Sequence, residues 1–288
     1  MKKTILLLLA LFCVSMSAQV LTVGSYNIRY QNKQDSIKGN AWSERCTSIC
    51  NQIIWEHPDI FGAQEVLYPQ LQDILSILKD YKCIGTGRDD GKKAGEYAAV
   101  FYNSKRVQLL DEGHFWLSET PERPSLGWDA ACIRICTWGH FRDLQTKKDF
   151  YFLNLHLDHV GVTARSESAK LVLQRIQQMT DGGKKPAVLT GDFNVPQTDS
   201  LYTLFVQSGM LKDCYTEAKN RFAENGTFNG FRPNNYTTDR IDHIFVTQKT
   251  EVDAYAVLTD GRWKIDADGK AVRRNLSDHY PVFARIRF

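Results

Sequence analysis

The sequence predicts a mixed α/β domain in which strands outnumber helices, and three observations carry that expectation. Short runs rich in β-branched and aromatic residues recur at residues 20–28, 60–64, 97–102, 134–141, 150–157, 186–190, 241–246 and 282–288. Helical spacing appears between some of them. Leu71, Ile74, Leu75 and Leu78 fall at i, i+3, i+4 and i+7 behind Pro69; Ala169, Val172, Leu173 and Ile176 repeat the pattern, and Ile49, Ile53 and Ile54 follow it in part. No linker, low-complexity tract or internal repeat interrupts the chain, so it reads as one domain. Two long irregular stretches, 119–130 and 220–235, are expected to form the rims of a cleft.

Residues 1–18 stand apart. Lys2 and Lys3 precede an apolar run from Ile5 to Val14, and the small residues Ser15, Ser17 and Ala18 close it. That is the layout of a secretory signal, cut after Ser17 or Ala18, with an apolar run too short to be a transmembrane segment. Phe12 stands before Cys13, where a lipoprotein signal wants a small residue. The expectation is soluble export to the periplasm or the extracellular space, leaving residues 19–288 as the domain. Roughly 270 residues suffice for one large core and are short for two.

Charge and cysteines narrow the function classes. The net charge of +3 falls to +1 without Lys2 and Lys3, so there is no polyanion footprint of the kind that tight DNA binding requires. Nucleic acid stays open as a substrate without support from charge. Cys46, Cys50, Cys83, Cys132, Cys136 and Cys214 show no CxxC spacing and no zinc pattern, and they read as buried thiols rather than a disulfide framework. Asn225, Asn235 and Asn275 open Asn-x-Ser/Thr triplets, which are taken as chance.

The chemistry-bearing residues are Asn27 (SYNIRY), Glu65 (GAQEV), His156 (LNLHLDH), Asp192 and Asn194 (TGDFN), Asp242 (RIDHI), and Asp278 and His279 (LSDHYPV). Nearly all lie at or just past the end of an apolar run, where polar groups from several strands can converge on one pocket. Asp192 and Asn194 are two apart and point the same way in extended chain. Singly, each has a structural explanation: an edge residue for Asn27, a helix-start acid for Glu65, an Asx turn for GDFN, a surface pair for one Asp-His dipeptide. Jointly they are the equipment for cleaving a phosphate ester, with acids for a cation and a water and imidazoles for proton transfer. His243 and His159 neighbour candidates and are expected to point away. Arg134 and Arg165 are candidate phosphate contacts, and Asp158 a candidate substrate contact.

The series resembles the endonuclease/exonuclease/phosphatase superfamily, the fold of pancreatic-type DNase I, across essentially the whole mature chain. FWLSETPERPS, LDHVGVTARSES and GTFNGF are similar to an exported bacterial subgroup of uncertain substrate. The resemblance implies a four-layer α-β-β-α sandwich, two mixed β-sheets flanked by helices, with a site for Mg²⁺ (or Mn²⁺) at one edge. Carried over, Glu65 would be a direct metal ligand, completed or supported by Asn27 and Asp278. Asp192 would orient or deprotonate the attacking water, and Asn194 would hold a phosphate oxygen. His279, paired with Asp242, would face the scissile phosphate, and His156 would donate to a non-bridging oxygen, oriented by Glu96. The function implied is hydrolysis of a phosphodiester by in-line attack of an activated water. Alternatives are a phosphomonoesterase of inositol-phosphate or sugar-phosphate type, or a catalytically inactive binding module.

Overall fold

The computed structural model describes residues 19–288; the export signal read in residues 1–18 lies outside the described residues. The four-layer arrangement expected from the resemblance is found. One sheet has seven strands in the spatial order Asn220–Phe222, Glu251–Val257, Val282–Arg287, Leu21–Asn27, Ile60–Val66, Tyr97–Asn103, Tyr81–Ile84. The other has six, in the order Val107–Trp116, Ile135–Asp143, Asp149–His156, Ala187–Asp192, Asp242–Thr247, Leu211–Asp213. Both are mixed: Leu21–Asn27 runs parallel to Ile60–Val66, Asn220–Phe222 parallel to Glu251–Val257, and Asp149–His156 parallel to Ala187–Asp192, while the other neighbours are antiparallel.

Period-two alternation explains the layers. Val23, Ile60, Val100, Phe141, Phe152, Val188, Ile244 and Val282 form the core between the sheets. On the opposite face of the seven-stranded sheet, Tyr26, Phe61 and Phe101 pack under helices Trp42–Glu56 and Tyr68–Ile77 through Ile49, Ile53, Leu71 and Ile74. Leu153, Leu155 and Leu189 of the other sheet pack under Val162–Thr180 and Ser200–Val206 through Ala169, Val172, Ile176 and Phe205. Ile54 departs from its expectation and is half exposed at 50%. No helix among the described residues is long and apolar enough to cross a membrane.

Several strands were not anticipated. Val107–Trp116 is a sheet edge with most of its middle exposed, so it lacks the apolar alternation that marks a strand. The hairpin Gly261–Ile265 and Ala271–Asn275 stands outside both large sheets. The two irregular stretches are more firmly tied than free rims. In the first, Asp129 accepts from Thr163 N and Ala164 N and so caps Val162–Thr180 from outside the helix. In the second, which opens with the strand Asn220–Phe222, Thr227 and Asn229 are fully buried. Thr227 Oγ1 accepts from Ile241 N and Asp242 N, and Asn229 N donates to Asp278 O. The segment is thus a clamp between the start of Asp242–Thr247 and the bend that carries Asp278.

The six cysteines are free, and Cys46 and Cys50 are both buried on one helix. Asn275 is 1% exposed, which bars a glycan there.

Candidate active site

Strand register assembles the first part of the site. His156 pairs with Asp192, and Asp192 pairs with Asp242, so three adjacent strands end at one level with their polar residues in a row. The other sheet contributes Asn27, the last residue of its strand, and Glu65. Behind them a buried polar network ties the sheets together. Gln64 donates to Asn154 Oδ1 at 2.6 Å, and Asn154 donates to the carbonyls of Ala63 and Ala99. Gly62 is required by this approach, because a side chain there would collide with Asn154 and Thr190.

Glu65 reaches the site through a bulge. The register with Tyr97–Asn103 slips by one residue between Ala63 and Val66, and Glu65 takes a φ of 61°. One extra residue lets Gln64 face the sheet interface while Glu65 faces the cluster of polar side chains, at a local backbone cost. Glu65 is therefore part of the strand and not the opening acid of a helix.

Asn27 sits at the centre. Its Nδ2 donates to Asp192 Oδ2 at 2.9 Å and Glu65 Oε1 at 3.1 Å, and lies 3.5 Å from His279 Nε2. His279 Nδ1 is 2.9 Å from Asp242 Oδ2, while its Nε2 lies 3.6 Å from Asp192 Oδ2. His156 Nε2 approaches the same Asp192 oxygen at 3.5 Å. Asp278 is nearly buried, with Ser277 Oγ donating to its Oδ1 and to Asn27 O.

Burial and neighbours set the charges. Burial favours neutral His279, but Asp242 and Asp192 beside it win, and its pKa lies well above the ordinary value. Burial pushes Asp192 up to about 7 against the pull of His279. Burial also pushes His156 well down, and Arg134 and Arg88 push it the same way. Asp278 is raised, again by burial first.

Within this cluster, two groupings could hold a cation. Ligand atoms of Asp192, Asp242 and His279 lie within 4.8 Å of one another, yet the imidazole there is held charged, which opposes a second cation. Glu65, Asp278 and Asn27 offer oxygens, the donor type that a hard divalent cation takes. A cationic nitrogen already lies between the two acids: Arg29 Nη1 is 3.7 Å from Glu65 Oε2 and 3.6 Å from Asp278 Oδ2. The place is built for positive charge.

The weaker candidates fall together beside His156, in other arrangements than expected. Glu96 is bonded to Arg88 at 2.8 and 3.1 Å, and its carboxylate makes no hydrogen bond to His156. Asp158 is buried and saturated. It accepts from the backbone N–H groups of Ala131, Cys132, Val160 and Gly161 and from Arg134 Nε, which leaves it organising a loop and not reaching for substrate. Arg165 donates to Asp158 O, and Arg134 also contacts His159 Nδ1 at 3.0 Å. Asn194 has a φ of 53°, so the chain turns there instead of continuing extended, and its Nδ2 donates to Leu157 O. His243 points away as expected, its Nε2 3.1 Å from Val195 O.

The profile of the Endonuclease/Exonuclease/phosphatase family matches residues 24–279. The chain belongs to that family. With membership comes the enzyme class, a hydrolase of phosphate esters. A solved mannosyl-6-phosphatase of Bacteroides thetaiotaomicron is 47% identical, with a TM-score of 0.90 over 93% of this chain and 100% of that one. A second structure from the same organism, described only as a family protein, is 46% identical, with a TM-score of 0.91 over 93% and 98%. Among curated sequences, Xenopus laevis nocturnin is 24% identical over 180 residues, 59% of this chain and 44% of the relative. The chain spans about half the length of the curated relatives it matches.

Three family-site neighbours escaped the sequence reading. Gln64 adjoins Glu65, Arg29 follows Asn27 by two in the same SYNIRY run, and Asn154 precedes His156 by two. Only the pairing of the sheets gives these residues their partners.

Proposed function

We propose that the protein is an exported, divalent-metal-dependent phosphomonoesterase whose substrate is a phosphorylated sugar. The observation that carries the substrate class is the 47% identity to the mannosyl-6-phosphatase across 93% of the chain. The curated nocturnin relatives, 24–25% identical over about two thirds of the chain or less, carry no comparable argument for a substrate class.

The side chains support the chemistry in named roles. Asp192, with its proton affinity near neutrality, accepts the proton of the attacking water. His279, kept charged by Asp242, stabilises the negative charge that develops on phosphate and leaving group. His156, kept neutral, donates Nε2–H to a non-bridging oxygen in the tautomer that carries its proton there. Glu65 and Asp278, with Asn27, would hold Mg²⁺ or Mn²⁺, which when bound neutralises phosphate oxygens. Asn194 offers its second amide hydrogen to the phosphate.

The test is release of phosphate from mannose 6-phosphate by the mature protein in Mg²⁺, beside bis(p-nitrophenyl) phosphate as diester. Monoester turnover that EDTA and His279→Ala both abolish is the expected result. Diester cleavage without monoester turnover would overturn the substrate class. Fractionation of cells for the protein checks export.

A further inference from the structure

The proposed chemistry leaves Arg29 without a part, yet the structure binds it on every side. It is a non-glycine residue with a φ of 59°. Such a conformation costs energy and persists only where surroundings enforce it. Arg29 N donates to Asn27 Oδ1 at 3.0 Å, and Arg29 O accepts from Gln70 Nε2 and Arg45 Nη2, each at 3.0 Å. Arg45 is itself fully buried and gives its other donors to the carbonyls of Ile28, Asn40 and Leu276. The side chain is tethered as firmly. Its Nε donates to Asp35 Oδ2 at 2.8 Å, Asn32 caps and orients Asp35, and the guanidinium lies 4.8 Å from the Tyr30 ring centre.

The tether places Nη1 within 3.7 Å of Glu65 and 3.6 Å of Asp278, the two carboxylates read above as metal ligands. We propose that Arg29 is the resident counter-ion of the metal site. It offsets part of the negative charge of Glu65 and Asp278 in the metal-free protein and lowers the affinity of the pair for a divalent cation. The inference rests on the metal role of those two acids. Its physics is Coulombic: two carboxylates facing one point repel each other, and a fixed positive charge within about 4 Å of both offsets that repulsion while opposing a second cation. The enzyme would then keep its site assembled without metal and exchange the metal readily.

Mn²⁺ titration of the mature chain, read from the electron paramagnetic resonance signal of free Mn²⁺, tests this together with thermal unfolding in EDTA. Arg29→Met should bind Mn²⁺ about tenfold more tightly than the native chain. In EDTA it should unfold about 3–6 °C lower, and saturating Mn²⁺ should narrow that gap. Arg29→Gln removes the charge but keeps a donor for Asp35, and is read the same way if the Met variant does not fold. Mn²⁺ binding that is unchanged or weaker in the variant would overturn the proposal. Binding indifferent to Glu65→Gln would instead remove the metal role of Glu65, and the inference with it.

Discussion

Two buried imidazoles approach one oxygen, Asp192 Oδ2: His279 at 3.6 Å and His156 at 3.5 Å. Burial drives both toward the neutral form, yet only one goes there. His279 has a carboxylate on its far nitrogen, Asp242 at 2.9 Å. His156 Nδ1 has no partner among the described residues, and after burial the charges that push it down are led by Arg134 and Arg88, with His279 and His159 behind them. The same residue type at nearly the same distance from the same acid is thus given a different protonation state by the groups behind it. That is how one pocket can keep an imidazolium and a neutral donor side by side.

Asp242→Asn is the largest expected break in this contrast. Without the carboxylate, His279 joins His156 on the neutral side, and kcat should fall by roughly 10²–10³ with KM little changed. Steady-state kinetics on the monoester check it, and near-native kcat would mean that the charge on His279 does not serve the reaction.

Arg134→Met attacks the other side. Removing the guanidinium lets the His156 pKa rise and takes away, among the described residues, the only side-chain hydrogen-bond partner of buried Asp158, whose pKa, against the push of burial, the loop N–H groups and Arg134 hold well below the ordinary value. Because four backbone N–H bonds remain, the loss should be about 2 kcal/mol of stability. It is read as a shift in urea midpoint, and an unchanged midpoint would show that the backbone alone carries Asp158.

The pH dependence of stability should separate the two rings. His279, raised in the folded state, contributes stability that is complete below the unfolded value near 6.5 and is lost as pH rises through its folded pKa. His156, lowered, contributes stability present above about 6.5 and lost as pH falls toward its folded pKa. His243, pushed down to about 4 by burial, adds to the acid limb. Unfolding of His279→Ala and His156→Ala across pH should therefore flatten opposite limbs. Flattening of the same limb by both would cancel the contrast.

The half of this pair that was legible in the sequence is instructive. Asp242, His279, Asp192, Asn27 and Glu65 converge because apolar runs end where these residues begin, and a run end is visible in one dimension. The pairing of Asp242 with His279, 37 residues apart, came with the family resemblance and is present in the structure. What stayed hidden depends on partners that only tertiary pairing supplies. Arg29 needs Glu65 and Asp278, Gln64 needs Asn154, and the bulge that divides Gln64 from Glu65 leaves no mark in an apolar pattern. The exposed edge strand Val107–Trp116 was missed for a related reason, since burial on one face creates the alternation by which strands are read.

The smallest effect is expected at Glu96. The resemblance implies that Glu96 orients His156; in the structure both Glu96 oxygens meet Arg88, whose carbonyl accepts from Trp116 Nε1. Glu96 and His156 do border one small cavity, with Arg88 and Arg134 between sheet and loop. If His156 acts without a carboxylate, Glu96→Gln keeps the hydrogen-bonding shape, weakens the grip on Arg88, and should change kcat by less than about threefold, within the scatter of one neutral hydrogen bond. His156→Ala should cost at least tenfold. A Glu96→Gln variant as impaired as His156→Ala, with a shifted pH profile, would show that the neutral imidazole has an acid behind it after all. The difference between the two rings would then be one of distance, and no longer one of kind.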